Sequence, residues 1–354
     1  MNKIINILKE KKSITLDQFI NISLYDKKIG YYMKKNPFGK KGDFITSPLI
    51  SNLFAEMIAV WCISLWEHLG KPKKILLVEL GPGDGTLCID LLKTFGQFED
   101  FYNSVEINLL EISNRLKKIQ KSKIDNEKVK WIKKMNEVKL GPVIFLGNEF
   151  FDGLPIKQIY KKKKLFFEKF VGLSKDHKKI KFLYKKANSN LIKHIQNLNL
   201  ISVGSVIEYP IAALNFLKVI AKKIDKLGGA LLTFDYGYIS KKNQNTLQSV
   251  KKHRYANPLV KPGHSDITSH INFQLFHEIL KKNKLNVKKI TTQSEFLKKI
   301  GIIERANILS EKMTFKEKAN MFFRLKRLLD CKQMGGLFKV IFAQKKDGKF
   351  SLGF

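Results

Sequence analysis

Residues 75–86 read Ile-Leu-Leu-Val-Glu-Leu-Gly-Pro-Gly-Asp-Gly-Thr. Four apolar residues run into Glu79, and glycines then alternate at Gly81, Gly83 and Gly85. A short apolar run closed by glycines predicts a buried strand entering a tight turn. Without a Cβ, the backbone can bend sharply there and lie against a ligand. The following residues 86–92 read as an amphipathic helix. Strand, glycine turn, helix is the way an α/β sheet holds a nucleotide-like ligand.

The spacing narrows the ligand. A dinucleotide fingerprint, G-x-G-x-x-G, requires a third glycine where Thr86 stands. A phosphate-cradling P-loop requires a lysine after the turn, and none follows. The pattern E-x-G-x-G-x-G suits a ligand with a ribose and an amino-acid tail but no phosphate, such as S-adenosylmethionine. Glu79, at the strand end, is the expected partner for the tail ammonium. A glycine-rich turn without a ligand is the alternative.

Residues 101–106 read as a second strand ending in Glu106, roughly 20 residues beyond the glycine turn. A carboxylate at that tip can accept hydrogen bonds from both ribose hydroxyls. It supports a ribose ligand without choosing between a methyltransferase and a dehydrogenase.

Composition bounds the rest. The chain has 354 residues, 44% of them hydrophobic, enough for one large domain or two. It has no apolar run of about 18 residues to cross a membrane. The first twelve residues resemble neither a signal peptide nor an arginine-rich transit peptide, so a cytoplasmic protein is expected. Cys62, Cys88 and Cys331 are scattered and read as buried structural thiols. The net charge of +35 is a nucleic-acid signature at first sight. Yet arginine occurs only at 115, 254, 305, 324 and 327 among 66 basic residues, and lysine is spread along the chain. That is the composition of an AT-rich genome. The lysine run 161–164 reads as a solvated hairpin tip.

Along the chain, residues 1–70 read as a helical cap or substrate lobe. A Rossmann-like core is expected over 71–155, 203–240 and 325–347. Residues 156–202 read as an inserted antiparallel β unit, and 241–324 as a substrate-side accessory region. Further strands are expected at 128–132, 142–147 and 230–237, with 337–344 as an edge strand. The fourth strand runs into Asn148-Glu149-Phe150-Phe151-Asp152-Gly153-Leu154-Pro155. Ligands in open α/β sheets sit at the carboxyl ends of strands, so Asn148, Glu149 and Asp152 stand where chemistry is expected. Asp43 in the N-terminal loop could close over the ligand or hold the acceptor. Turn-forming or helix-capping acids are the alternative. His264 and His270 have no partner at a ligand spacing, so no metal is expected; His264-Ser265-Asp266 reads as a loop bordering the acceptor.

Together these segments resemble the MidA-type family of S-adenosylmethionine-dependent methyltransferases, which has a mitochondrial branch concerned with complex I assembly. The resemblance rests on Gly30-Tyr31-Tyr32, the 42–48 stretch Gly-Asp-Phe-Ile-Thr-Ser-Pro, residues 78–87, residues 148–155, Phe234-Asp235-Tyr236-Gly237 and Asp266-Ile267-Thr268-Ser269-His270. It implies an α/β class I methyltransferase fold with a seven-stranded sheet, its last strand antiparallel. S-adenosylmethionine is the expected cofactor, with Glu79, Gly81, Gly83, Gly85, Glu106 and Asn148 as candidate binding residues. In the mitochondrial branch the resemblance implies arginine methylation on a core subunit of complex I. Guanidinium is protonated at neutral pH and needs a carboxylate to hold its planar fork, and Glu149 and Asp152, with Asp43, are the candidate catalytic residues for that role. The family often carries a basic residue where Asp84 stands and Glu where Leu49 stands, so Asp84 alters the charge beside the cofactor tail. The competing readings are an RNA methyltransferase, which the charge favours, and a cofactor-binding assembly factor without catalysis. A dehydrogenase is disfavoured by Thr86.

Overall fold

The computed structural model describes residues 2–34, 37, 47–198, 200, 206–240, 244–251 and 254–354. Its centre is a sheet of seven strands: β1 (Ile75–Leu80), β2 (Val105–Leu110), β3 (Val129–Ile132), β4 (Val143–Asn148), β5 (Gly229–Tyr238), β6 (Asn286–Val287) and β7 (Phe338–Gln344). They lie in the order β3-β2-β1-β4-β5-β7-β6. The first five are parallel, and β7 enters antiparallel between β5 and β6. Two short strands, Ile271–Asn272 and Thr291–Thr292, extend the sheet at β5 and β7.

Side-chain alternation along each strand builds two cores. Ile75, Leu77, Ile107, Leu109, Ile144, Leu146, Leu232 and Phe342 face one side. There they meet the helices α1 (Asn52–His68) and α2 (Thr86–Phe95). Leu76, Val78, Leu80, Phe145, Leu231 and Ile341 face the other. These pack on α3 (Ile211–Leu227) and α4 (Phe273–Lys282). Both faces of the parallel strands are covered, which is why β1 and β4 read as continuous apolar runs. A third core joins Ile4, Leu8, Phe19, Ile20 and Leu24 of the N-terminal segment to Ile156 and Val171. Its sheet is the antiparallel unit Lys157–Lys162, Leu165–Leu173, Ile180–Lys186 and Val206–Tyr209, with Ser13–Thr15 added on Leu165–Leu173. The antiparallel unit and its solvated tip at 161–164 are present, but the unit runs past 202: Val206–Tyr209, expected in the Rossmann-like core, pairs with Lys157–Lys162.

Several expectations change. Residues Glu99–Ser104 form a helical turn, and β2 begins only at Val105. Glu99 and Asp100 favour the helix N-terminus, and Phe101 is needed in the core against Phe95 and Trp66. Strand β7 is interior, because β6 adds beyond it. The 1–70 lobe is divided: α1 belongs to the core under β1, with Trp61 and Phe54 fully buried there. The 241–324 region likewise gives α4 and β6 to the core. Cys62 and Cys88 are buried, but Cys331 is exposed. No helix among the described residues is long and apolar enough to cross a membrane.

Candidate active site

The strand order reverses between β1 and β4, and a crevice opens beyond the carboxyl ends of strands at such a point. Gly81, Gly83 and Gly85 have φ of 63°, 57° and 85°, in the left-handed region that favours glycine. The Gly81 N–H donates to the Leu110 carbonyl at 3.1 Å, tying the turn to the end of β2. A Cβ on Gly81 would stand 2.9 Å from the Phe150 ring, so a side chain would fill the cradle. Gly85 caps α2. Asp84 accepts the Thr86 N–H at 3.2 Å and hydroxyl at 2.7 Å, and Lys123 pairs with it at 2.7 Å. The extra charge flagged in the sequence is therefore held by a cation beside it.

Glu79 is 4% exposed, and its Oε2 has no hydrogen-bond partner among the described residues. Burial, with Asp84 adding to it, pushes its carboxyl up to about 8. Glu106 is not at a strand tip. It is the second residue of β2, opposite Leu76 and away from the glycine turn, and it pairs with Lys130 at 3.1 Å. The helical turn at Glu99–Ser104 shifts the strand by four residues, so Glu111 takes the tip. Glu111 accepts the Ser113 N–H at 2.7 Å and the Gln120 amide at 3.2 Å. Burial raises its carboxyl despite these bonds. The fully buried Gln120 also donates to the Gly83 carbonyl at 2.7 Å and accepts the Trp131 indole N–H at 2.9 Å. It locks the glycine turn to Glu111.

Past β4, Glu149 has φ 52°, a left-handed conformation uncommon for a non-glycine residue. Its N–H donates to the Phe234 carbonyl at 2.9 Å. Its carboxyl receives the Asn148 amide at 3.3 Å and the Ser47 backbone N–H. Burial, then the nearby Asp152, raises Glu149 to about 8. Asp152 accepts the Tyr236 hydroxyl and is raised by burial to about 6. The loop itself is pinned by Asp235, whose carboxyl accepts the N–H groups of Phe151 at 2.9 Å, Asp152 at 3.2 Å and Tyr236 at 3.0 Å. From the N-terminal segment, Tyr32 donates to Asp266 at 3.0 Å, Tyr25 donates to the Gly153 carbonyl at 2.9 Å, and the two rings stack.

A cavity of about 590 Å³ joins these parts. Gly81, Gly83, Glu111, Phe150 and Met135 line it together with Glu149, Asp152, Asp266, Tyr25, Tyr32 and Tyr236. Of the expected residues, Gly81, Gly83, Glu149 and Asp152 meet at this cavity, and Glu79, buried two residues before Gly81, is not in its lining. Gly85 and Asn148 stand behind them, in the helix cap and against Glu149. Asp43 lies outside the described residues. The sequence reading missed Glu111, Gln120, Tyr25 and Asp235 as site-builders. Only the strand register could have exposed Glu111, by treating residues 105–110 as the apolar run. Among the described residues, no group of three or more His, Cys, Asp or Glu is placed to hold a metal.

The raised carboxyls set a pH dependence. Below the ordinary carboxylate range, folded and unfolded chains are both protonated at Glu79 and Glu149. Between pH 4.5 and about 8 the unfolded chain has released these protons while the folded chain keeps them. Stability therefore falls as pH rises through this window. Thermal melting without ligand should show a higher midpoint at pH 5 than at pH 8, and Glu149→Gln should flatten the slope. An equal slope in the variant would refute the assignment.

Comparison with known proteins bears on this geometry. A family profile described as S-adenosyl-L-methionine-dependent methyltransferase matches residues 57–291. "Protein arginine methyltransferase NDUFAF7, mitochondrial" of Xenopus tropicalis is 30% identical, over 96% of this chain and 84% of that protein. The human protein of the same name is 29% identical, over 86% of this chain and 74% of its own length. A Burkholderia thailandensis protein solved with S-adenosyl-homocysteine matches with a TM-score of 0.85 and 23% identity, over 100% of this chain and 93% of that one. That likeness shows the fold. The relatives are mitochondrial by name, which lends the cytoplasmic expectation no support.

Proposed function

Because this chain belongs to the S-adenosyl-L-methionine-dependent methyltransferase family, we propose that the acids beyond β4 receive a protein arginine as methyl acceptor. The relatives named as protein arginine methyltransferases support this reading. So does the site itself, through one observation: Glu149 and the buried Asp152, Asp235 and Asp266 gather in one region of a chain with net charge +35. Among the described residues neither Glu149 nor Asp152 has a salt-bridge partner. An arriving guanidinium supplies the missing cation.

The residues fit the cofactor. The orphaned Glu79 Oε2 suits an ammonium, Glu111 suits ribose hydroxyls, and Gly81 and Gly83 leave room for the backbone to approach it. Bound there, S-adenosylmethionine would supply an electrophilic methyl carbon. The chain's own work is alignment, which removes the entropic part of the barrier. Glu149 and Asp152 hold the guanidinium fork. A cation beside Glu149 lowers its pKa and ionises it. A carboxyl that is poised near neutrality then accepts the proton that the methylated nitrogen releases. Tyr236 orients Asp152, and Tyr32 orients Asp266.

Mass spectrometry of the proteome with and without this protein tests the reading. A methyl-arginine site should disappear from a protein, with a respiratory complex I core subunit, which the MidA-type resemblance points to, the first to inspect. Transfer of labelled methyl to RNA, with every methyl-arginine site retained, would replace arginine by a nucleic-acid acceptor.

A further inference from the structure

The helix Phe315–Leu329 carries two apolar stripes. One, Leu325 and Leu328 with Met321 and Leu329, packs into the core to which α1 also contributes. The other consists of Phe315, Ala319, Phe322 and Phe323, spaced i, i+4, i+7, i+8, which places them along one helix face. That second stripe is in solvent: Phe315 is 88% exposed and Phe323 67%. Three exposed phenylalanines on one face are an unusual cost for a surface that touches only water. Lys316 and Lys326 are exposed beside them, and Lys312, Arg324 and Arg327 lie on or next to the same helix. Among the described residues none of these five basic side chains forms a salt bridge. Glu317 is engaged in the Thr314 cap at 2.7 Å.

From this face we propose that the helix docks the protein on an anionic lipid surface. The phenylalanines enter the headgroup boundary, and the basic side chains meet the phosphates. An apolar stripe flanked by lysine and arginine is the pattern of a helix lying in a membrane interface. The charge decides against a second copy. A two-fold contact would bring this basic patch against itself, in chains that each carry +35. An anionic bilayer is complementary to both the patch and the whole. The inference is independent of the acceptor assignment.

Vesicle sedimentation of the full chain tests it, with phosphatidylcholine alone or mixed with phosphatidylglycerol. The protein should pellet with the anionic vesicles about tenfold better than with neutral ones, and high salt should release it. The double variant Phe315→Ser/Phe323→Ser should lose about tenfold in binding while its melting temperature stays unchanged. Lys316→Glu/Lys326→Glu should lose the preference for anionic lipid, and it keeps the test open if the first variant fails to fold. Equal pelleting with both vesicles overturns the proposal, as does undiminished binding by the folded variants. A wild-type dimer that ignores vesicles and that the phenylalanine variant splits would overturn it in favour of self-association.

Discussion

Glu149→Gln should lower methyl transfer by about 10²- to 10³-fold, as expected when a preorganised charged group at the reacting centre is removed. Cofactor affinity should stay within about twofold. The amide keeps the shape and can still accept the Ser47 N–H. What it lacks is the negative charge that fixes a guanidinium and the capacity to take its proton. The backbone gives this residue a second signature. At φ 52° a side chain is strained, by roughly 1 kcal/mol or more. Glu149→Gly should therefore be inactive and yet no less stable than the parent, because glycine adopts this conformation freely and removes a carboxyl crowded by Asp152. Isothermal titration with S-adenosyl-homocysteine and single-turnover transfer separate binding from chemistry. Full turnover in Glu149→Gln would remove this residue from the reaction.

Asp235→Ala should cost about 3–5 kcal/mol of unfolding free energy, the largest stability effect expected in the site. Asp235 is fully buried at the end of β5, and its two oxygens hold three backbone N–H groups of the 151–152 and 236 backbone. Alanine orphans all three donors where water does not reach them. Burial, with Asp152 and Glu149 near it, raises this carboxyl well above its ordinary range, so a neutral replacement is informative. Asp235→Asn keeps one acceptor oxygen and should cost about 1 kcal/mol. Urea unfolding of both variants measures the difference. Equal stabilities would mean that the loop is held by other contacts, with Tyr25 on Gly153 and the Asp152 carbonyl, which accepts the Ser269 N–H, as the remaining ties.

Much of this protein follows from its sequence. The apolar run 75–80 has no alternative to a covered strand, and three alternating glycines after it require a turn that other residues resist. That local logic fixed β1, α2, β4 and the acids after β4, and spacing alone disfavoured a dinucleotide or P-loop ligand. The inserted hairpins were legible because lysine-rich tips separate apolar runs. Register was not legible. Residues 101–104 carry as much apolar character as a strand start, and only the core's demand for Phe101 against Phe95 and Trp66 made them helical, moving the strand-tip carboxylate from Glu106 to Glu111. The interior place of β7 likewise depends on β6, a two-residue strand too short to announce itself. Tertiary structure alone brought Tyr25, Tyr32, Asp235 and Asp266 to Glu149 and Asp152, from as far as 127 residues away in the chain. A sequence specifies local backbone preference through each residue's neighbours. Which carboxyls are dried, crowded and raised together is set by packing, and on that crowding rests the proposal that the site receives a cation.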